Sequence, residues 1–96
     1  MRIATVVGVA VATVKDRRLE GSKLLLLAPA DPTGAAVGQP FVALDIVGAG
    51  DGEMVLVVDG SSARMAAGEA SRPVDAVVVG ILDSLRHNGQ MTYQKR

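Results

Sequence analysis

Glu53-Met54-Val55-Leu56-Val57-Val58-Asp59-Gly60-Ser61-Ser62-Ala63-Arg64-Met65-Ala66-Ala67-Gly68 changes its period half-way along. Up to Asp59 it alternates, with Met54, Leu56 and Val58 on one side and Val55 and Val57 on the other. That is a strand, apolar on both faces. From Ser61 to Ala67 the residues are small or helix-tolerant. Ser61 or Ser62 can cap a short helix and Gly68 can end it. It is the only helix candidate in the 96 residues.

Outward from this stretch the pattern is β. Downstream, residues 74–85 read as a strand that is apolar on both faces except at Asp75, Asp83 and Ser84. Asn88-Gly89 is a hairpin-turn pair and folds residues 90–94 back as a short final strand. Upstream, residues 41–47 form a strand with Val42, Leu44 and Ile46 on one face and Asp45 on the other. Residues 23–28 hold a run of four leucines. Asp31-Pro32-Thr33-Gly34 has the residue chemistry of a type I turn. The first strand spans residues 3–14. One face carries Ile3, Thr5, Val7, Val9, Val11 and Thr13; the other carries Ala4, Val6, Gly8, Ala10 and Ala12. With both faces largely apolar, it is expected to be covered on both sides, and Gly8 in its middle predicts a bend or a close backbone approach. Residues 15–21 form a charged connection. The reading is an all-β chain: five or six strands with one short helix between the fourth and fifth and a short C-terminal hairpin strand, which fits a small closed barrel or a sandwich. A single domain over residues 1–96 is expected.

Composition narrows the function. The chain is 49% hydrophobic with one Phe, one Tyr and no Trp, a large aliphatic share for so small a body. Part of it is buried against other copies, or the core is a tight Val/Ala/Leu packing with a few exposed residues. Ten basic residues balance ten acidic ones, so a general nucleic-acid footprint is lacking. There is no cysteine, so disulfides and thiolate-metal sites are excluded. The apolar N-terminus is interrupted by Thr5, Gly8 and Thr13 and leads into charge without a good cleavage site, so it reads as mature structure. No run reaches the ~18 apolar residues that span a membrane. A cytoplasmic protein is expected.

The chemical motifs fail on their details. Gly48-Ala49-Gly50-Asp51-Gly52-Glu53 has Glu where a dinucleotide fingerprint needs its third glycine, and a strand follows instead of a helix. Gly48, Gly50 and Gly52 therefore read as a conformationally special strand-to-strand loop. Ser61 and Ser62 lack a base, since His87 is the only histidine and adjoins the Asn88-Gly89 turn. Asp45, Asp59, Asp75 and Asp83 read as partners for loop amides or for interface ion pairs. Nothing has metal-ligand spacing. No enzyme activity, cofactor or metal is expected.

Three motifs fall in the order and spacing of one family: Asp45-Ile46-Val47-Gly48-Ala49-Gly50, Gly60-Ser61-Ser62-Ala63-Arg64, and Pro73-Val74-Asp75 followed by Val79-Gly80-Ile81-Leu82-Asp83. With the opening Met1-Arg2-Ile3-Ala4 and the leucine run, the chain resembles the EutN/CcmL family of bacterial microcompartment vertex proteins along essentially its whole length. The resemblance implies a five-stranded barrel like the oligonucleotide-binding fold, and a homopentamer shaped as a truncated pyramid. It would sit at the fivefold corners of a polyhedral shell built otherwise from hexameric and trimeric shell proteins, around enzymes of a metabolic pathway. It implies a structural role without catalytic residues. It also suggests that Gly60, Ser61, Ser62, Ala63 and Arg64 approach the fivefold axis and rim a narrow pore. Converging serine-capped helix ends there would suit an anion; Arg64 would add charge, or pair across the interface with Asp45 or Glu53. The competing reading is an oligonucleotide-binding-like barrel for a small ligand or single-stranded nucleic acid. Its weakness is that Phe41 and Tyr93 are the only aromatics available for stacking.

Overall fold

The computed structural model describes residues 1–68 and 72–95. Strands β1 (Arg2–Ala10), β2 (Lys23–Pro29), β3 (Phe41–Asp45), β4 (Met54–Asp59) and β5 (Ala76–Ile81) close a barrel in the order β1-β2-β3-β5-β4. All neighbours are antiparallel except β3 and β5, which run parallel and pair only at Leu44 with Val77 and Asp45 with Val78. Helix α1 (Gly60–Ala66) connects β4 to β5. Of the barrel and the sandwich that the pattern allowed, the architecture is the barrel, with the five strands that the family resemblance implies.

The barrel interior is filled by Ala4, Val6, Leu25, Leu27, Ala43, Ala49, Val55, Val57, Ala76 and Val78, with Phe41 and Ile81 at its margin. Small side chains suit so narrow a lumen, and each fully buried Leu or Val contributes about 1.5–3 kcal/mol. A second cluster lies outside the barrel, where Ala63 of α1 packs on Leu44 and Val77. A helix with alanine on its buried side can approach the sheet closely.

Three expectations need correction. First, β1 ends at Ala10 rather than at residue 14. Ala10 pairs with Leu24, the last rung available before the chain turns through the 3-10 segment Arg17–Leu19, which Asp16 caps by accepting the Arg18 N–H. Val11 and Val14 leave the sheet and are 88% and 94% exposed. Second, β1 is not covered on both sides by its own chain. A bulge between Val6 and Gly8 shifts the alternation, so that Val9 falls opposite Leu25, yet Val7 and Val9 stay about half exposed. Gly8 marks that bulge and not a close approach. Third, the long strand expected over residues 74–85 is two strands. The Leu82 N–H makes a last bond to the Met54 carbonyl, and the Asp83 carbonyl already accepts from Lys95. The chain changes partner there. β6 (Ser84–His87) then pairs with β7 (Gln90–Gln94) as a separate two-stranded sheet.

The turns came out as their chemistry requires. Asn88 and Gly89 both have positive φ, 52° and 77°, as a twisted two-residue hairpin loop demands. The Gly34 N–H donates to the Asp31 carbonyl at 2.9 Å. The hairpin docks on the barrel through the Met54 N–H donating to Tyr93 Oη (3.3 Å) and Thr92 Oγ1 donating to the Pro32 carbonyl (2.7 Å). A Lys95–Glu53 ion pair (3.2 Å) adds to these.

Candidate functional site

Residues 60–64 form the first turn of α1. Gly60 has φ +60°, in the left-handed region that costs other residues about 1–2 kcal/mol. No atom lies within 4 Å of where its Cβ would stand, so conformation and not crowding calls for glycine. The N-cap is Asp59, and its side chain makes no capping bond. Arg2 holds that carboxylate instead, through Nε at 3.1 Å and Nη2 at 2.9 Å. The same guanidinium lies 3.8 Å from the Phe41 ring centroid. Ser61 and Ser62 are therefore not caps, contrary to the sequence reading; they sit inside the first turn and are exposed. The serine caps on which the anion reading rested are thus not formed. Gly68 closes the helix as expected, with φ +90° and its N–H on the Met65 carbonyl.

The loop after β3 is organised by one carboxylate. Asp45, its side chain 1% exposed, accepts from the N–H groups of Val47 (3.0 Å), Gly48 (3.1 Å) and Ala49 (2.9 Å). Gly48 (φ +80°) and Gly52 (φ +81°) supply the left-handed positions; Gly50 is not one of them. The Gly50 N–H donates to Glu53 Oε1 at 2.7 Å. That bond, and then Lys95, hold the Glu53 carboxyl below its ordinary range. Asp45 and Glu53 are thus both engaged within the chain, so an ion pair with Arg64 of another copy would have to compete for them. The loop-amide role read for Asp45 holds.

Two more polar anchors carried no signal in the sequence. Arg72 donates to the Arg18 carbonyl (3.2 Å), the Ala67 carbonyl (3.0 Å) and Ser22 Oγ (2.6 Å). It ties the C-terminal end of α1 to the β1–β2 connection. Lys23 Nζ donates to the Ala49 carbonyl at 3.1 Å. Lys23 reaches a partner 26 residues away and Arg72 one 54 residues away, which no local pattern records.

Among the described residues no group of His, Cys, Asp or Glu could hold a metal ion. His87 lies at the hairpin turn with Asn88 as its side-chain neighbour, on a different element from Ser61 and Ser62. The conspicuous surface is apolar instead: Val7, Val9, Val11, Val14, Val42, Ile46 and Met65 are all 45% exposed or more.

Residues 1–83 match the family described as ethanolamine utilisation protein EutN/carboxysome. The microcompartment shell vertex protein EutN of Escherichia coli K12 is 45% identical over 95 residues, covering 99% of this chain and 100% of that one. The chain belongs to the EutN/CcmL family. Its fold is that of the family's solved members. The structure of CcmL from Gloeobacter violaceus has a TM-score of 0.91 at 44% identity, covering 99% of this chain and 98% of that one. GrpN, a pentameric microcompartment shell protein from Rhodospirillum rubrum, has a TM-score of 0.83 at 40% identity and covers 91% and 99%. These EutN/CcmL relatives are structural shell vertex proteins and not enzymes. That agrees with a surface whose distinguishing property is exposed valine.

Proposed function

We propose that this chain, acting over residues 1–96 as one vertex domain, forms a ring of five copies that closes the corners of a bacterial microcompartment shell in the cytoplasm. The full-length likeness to named shell vertex proteins, one of them pentameric, carries the reading. The exposed aliphatic surface supports it independently, because a free-standing domain gains nothing from valines at 88% and 94% exposure. The action is geometric. A flat array of hexameric and trimeric shell proteins cannot close on itself, and a fivefold unit at each corner supplies the curvature. A ring of five needs a head-to-tail contact whose rotation closes after five copies. In this reading Gly60, Ser61 and Ser62, small and exposed, rim the fivefold axis with Arg64 beside them, while Ala63, buried with Leu44 and Val77 of its own chain, anchors the segment and does not line the pore.

A ligand- or nucleic-acid-binding barrel is disfavoured. Across the outer face of β1, β2 and β3 the paired row is Gly8, Leu26 and Val42, which offers neither a stacking ring nor a cation. Co-expression with hexameric and trimeric shell proteins tests the proposal. Closed polyhedra with density at the fivefold corners are expected, and open-cornered or elongated bodies when this chain is omitted. Equally closed particles without it refute the role.

A further inference from the structure

Asn88 is the only asparagine in the chain. It stands exposed at the tip of the β6–β7 hairpin, a sheet that among the described residues pairs with no strand of the barrel. Glycine follows it. Nothing lies within 4 Å of where a Cβ on Gly89 would stand, so the Gly89 nitrogen is unhindered on that side. At the far end of the same side chain, Asn88 Nδ2 lies 3.3 Å from His87 Nε2. The parts of one reaction therefore meet at this turn: a backbone nitrogen, a carboxamide carbon one residue before it, and an imidazole at the nitrogen that would leave. We infer that Asn88 is a site of self-modification, whose side-chain amide is exchanged for a carboxylate by water, with His87 supplying the proton on which ammonia departs.

The atoms balance without a cofactor. The Gly89 nitrogen bonds to Asn88 Cγ, closing a cyclic imide, and gives up its proton to solvent. The Cγ–Nδ2 bond breaks and its electron pair leaves on nitrogen. The protonated ring of His87 gives that nitrogen a proton, ammonia departs, and the ring recovers a proton from solvent. Water then opens the imide at one carbonyl or the other, so that one water is consumed for each ammonia released. Opening at Cγ leaves aspartate, which tolerates the left-handed φ of 52° as asparagine does. Opening at the backbone carbonyl leaves isoaspartate, which routes the chain through the side chain and lengthens a two-residue loop. The pairing of His87 with Gln90 is set by that loop length, so the second product unpicks the hairpin from its tip. Either product places a negative charge on a chain whose ten basic and ten acidic residues otherwise balance.

The test is intact-mass measurement and peptide mapping of the full chain held at neutral pH and physiological temperature, folded and, in parallel, unfolded in urea. The folded chain is expected to exchange an amino group for a hydroxyl at residue 88 at least as fast as the unfolded chain, and to yield both aspartate and isoaspartate. His87→Gln is expected to slow the folded chain roughly tenfold, below the about 10²–10⁴ that an evolved general acid supplies, and to leave the unfolded rate unchanged. If circular dichroism shows that His87→Gln disturbs the hairpin, His87→Phe keeps a ring there without a proton and takes its place. A folded chain that keeps its amide longer than the unfolded one overturns the site, because the turn then shields it. Equal folded rates for wild type and the His87 variant overturn the role of the imidazole.

Discussion

Replacing Asp45 by Ala removes the acceptor for three consecutive loop amides at once. The Ala49 N–H is the costly one. Ala49 is fully buried, and a buried donor left without a partner costs about 1–3 kcal/mol. Val47 and Gly48 are exposed and can turn to water, so each forfeits only about 0.5 kcal/mol, the low end for a typical hydrogen bond. The sum is about 3 kcal/mol, a large share of the roughly 5–15 kcal/mol that holds a domain folded. It corresponds to a melting temperature lower by on the order of 15 °C. Asp45→Asn should cost about 2 kcal/mol, because its amide oxygen serves one side of the loop and its NH2 faces a donor on the other. Urea unfolding followed by circular dichroism, at one fixed protein concentration so that assembly contributes equally, reads both. A loss below about 1 kcal/mol for Asp45→Ala would mean that the loop holds its shape without the carboxylate, and the reasoning would be wrong.

Gly60→Ala should lower stability by about 1 kcal/mol through strain at φ +60° alone. Gly60→Asn should recover part of that, since Asn tolerates the left-handed region; equal losses for both in thermal unfolding would show that strain is not the cause. Glu53 gives a pH signature. Its carboxyl is held low in the folded chain by the Gly50 N–H and Lys95, so the stability it adds is full above the ordinary glutamate value of about 4.3 and drains away as pH falls through the lowered folded value. Glu53→Gln should therefore show a shallower loss of stability below that pH than wild type. Acid limbs of identical slope would count against the assignment.

What the sequence made legible was what is local. Asp31-Pro32-Thr33-Gly34, Asn88-Gly89 and Gly68 each determine their turn within four residues, and all three formed as read. The strands and the one α-helix followed from alternation and its interruption, but alternation fits a sandwich as well as a barrel, and the closure into five strands rested on the family resemblance. What stayed hidden depends on which partner a residue meets. Residues 3–14 alternate throughout, but alternation cannot say where β2 runs out of rungs, so the end at Ala10 was invisible. Nor can it tell a valine buried by its own chain from one left for another copy. The break between Ile81 and Ser84 is a change of partner inside an unbroken apolar run. Ser61 and Ser62 had the right chemistry for a cap, but Gly60 enters the helix first and Arg2 occupies the Asp59 carboxylate. Arg72 reaches three partners through a long flexible stem, and nothing in its neighbours announces them.

The barrel is not equally well sewn around its circumference. β1 and β2 share six paired positions and β2 and β3 share five, but β3 and β5 share two. The cylinder therefore has a seam, and thermal fluctuation will part it there before anywhere else. What lies across the seam is α1, whose Ala63 packs with Leu44 from one lip and Val77 from the other. The helix is therefore a staple over the gap, and its side chain there has to be small for the two lips to be held together.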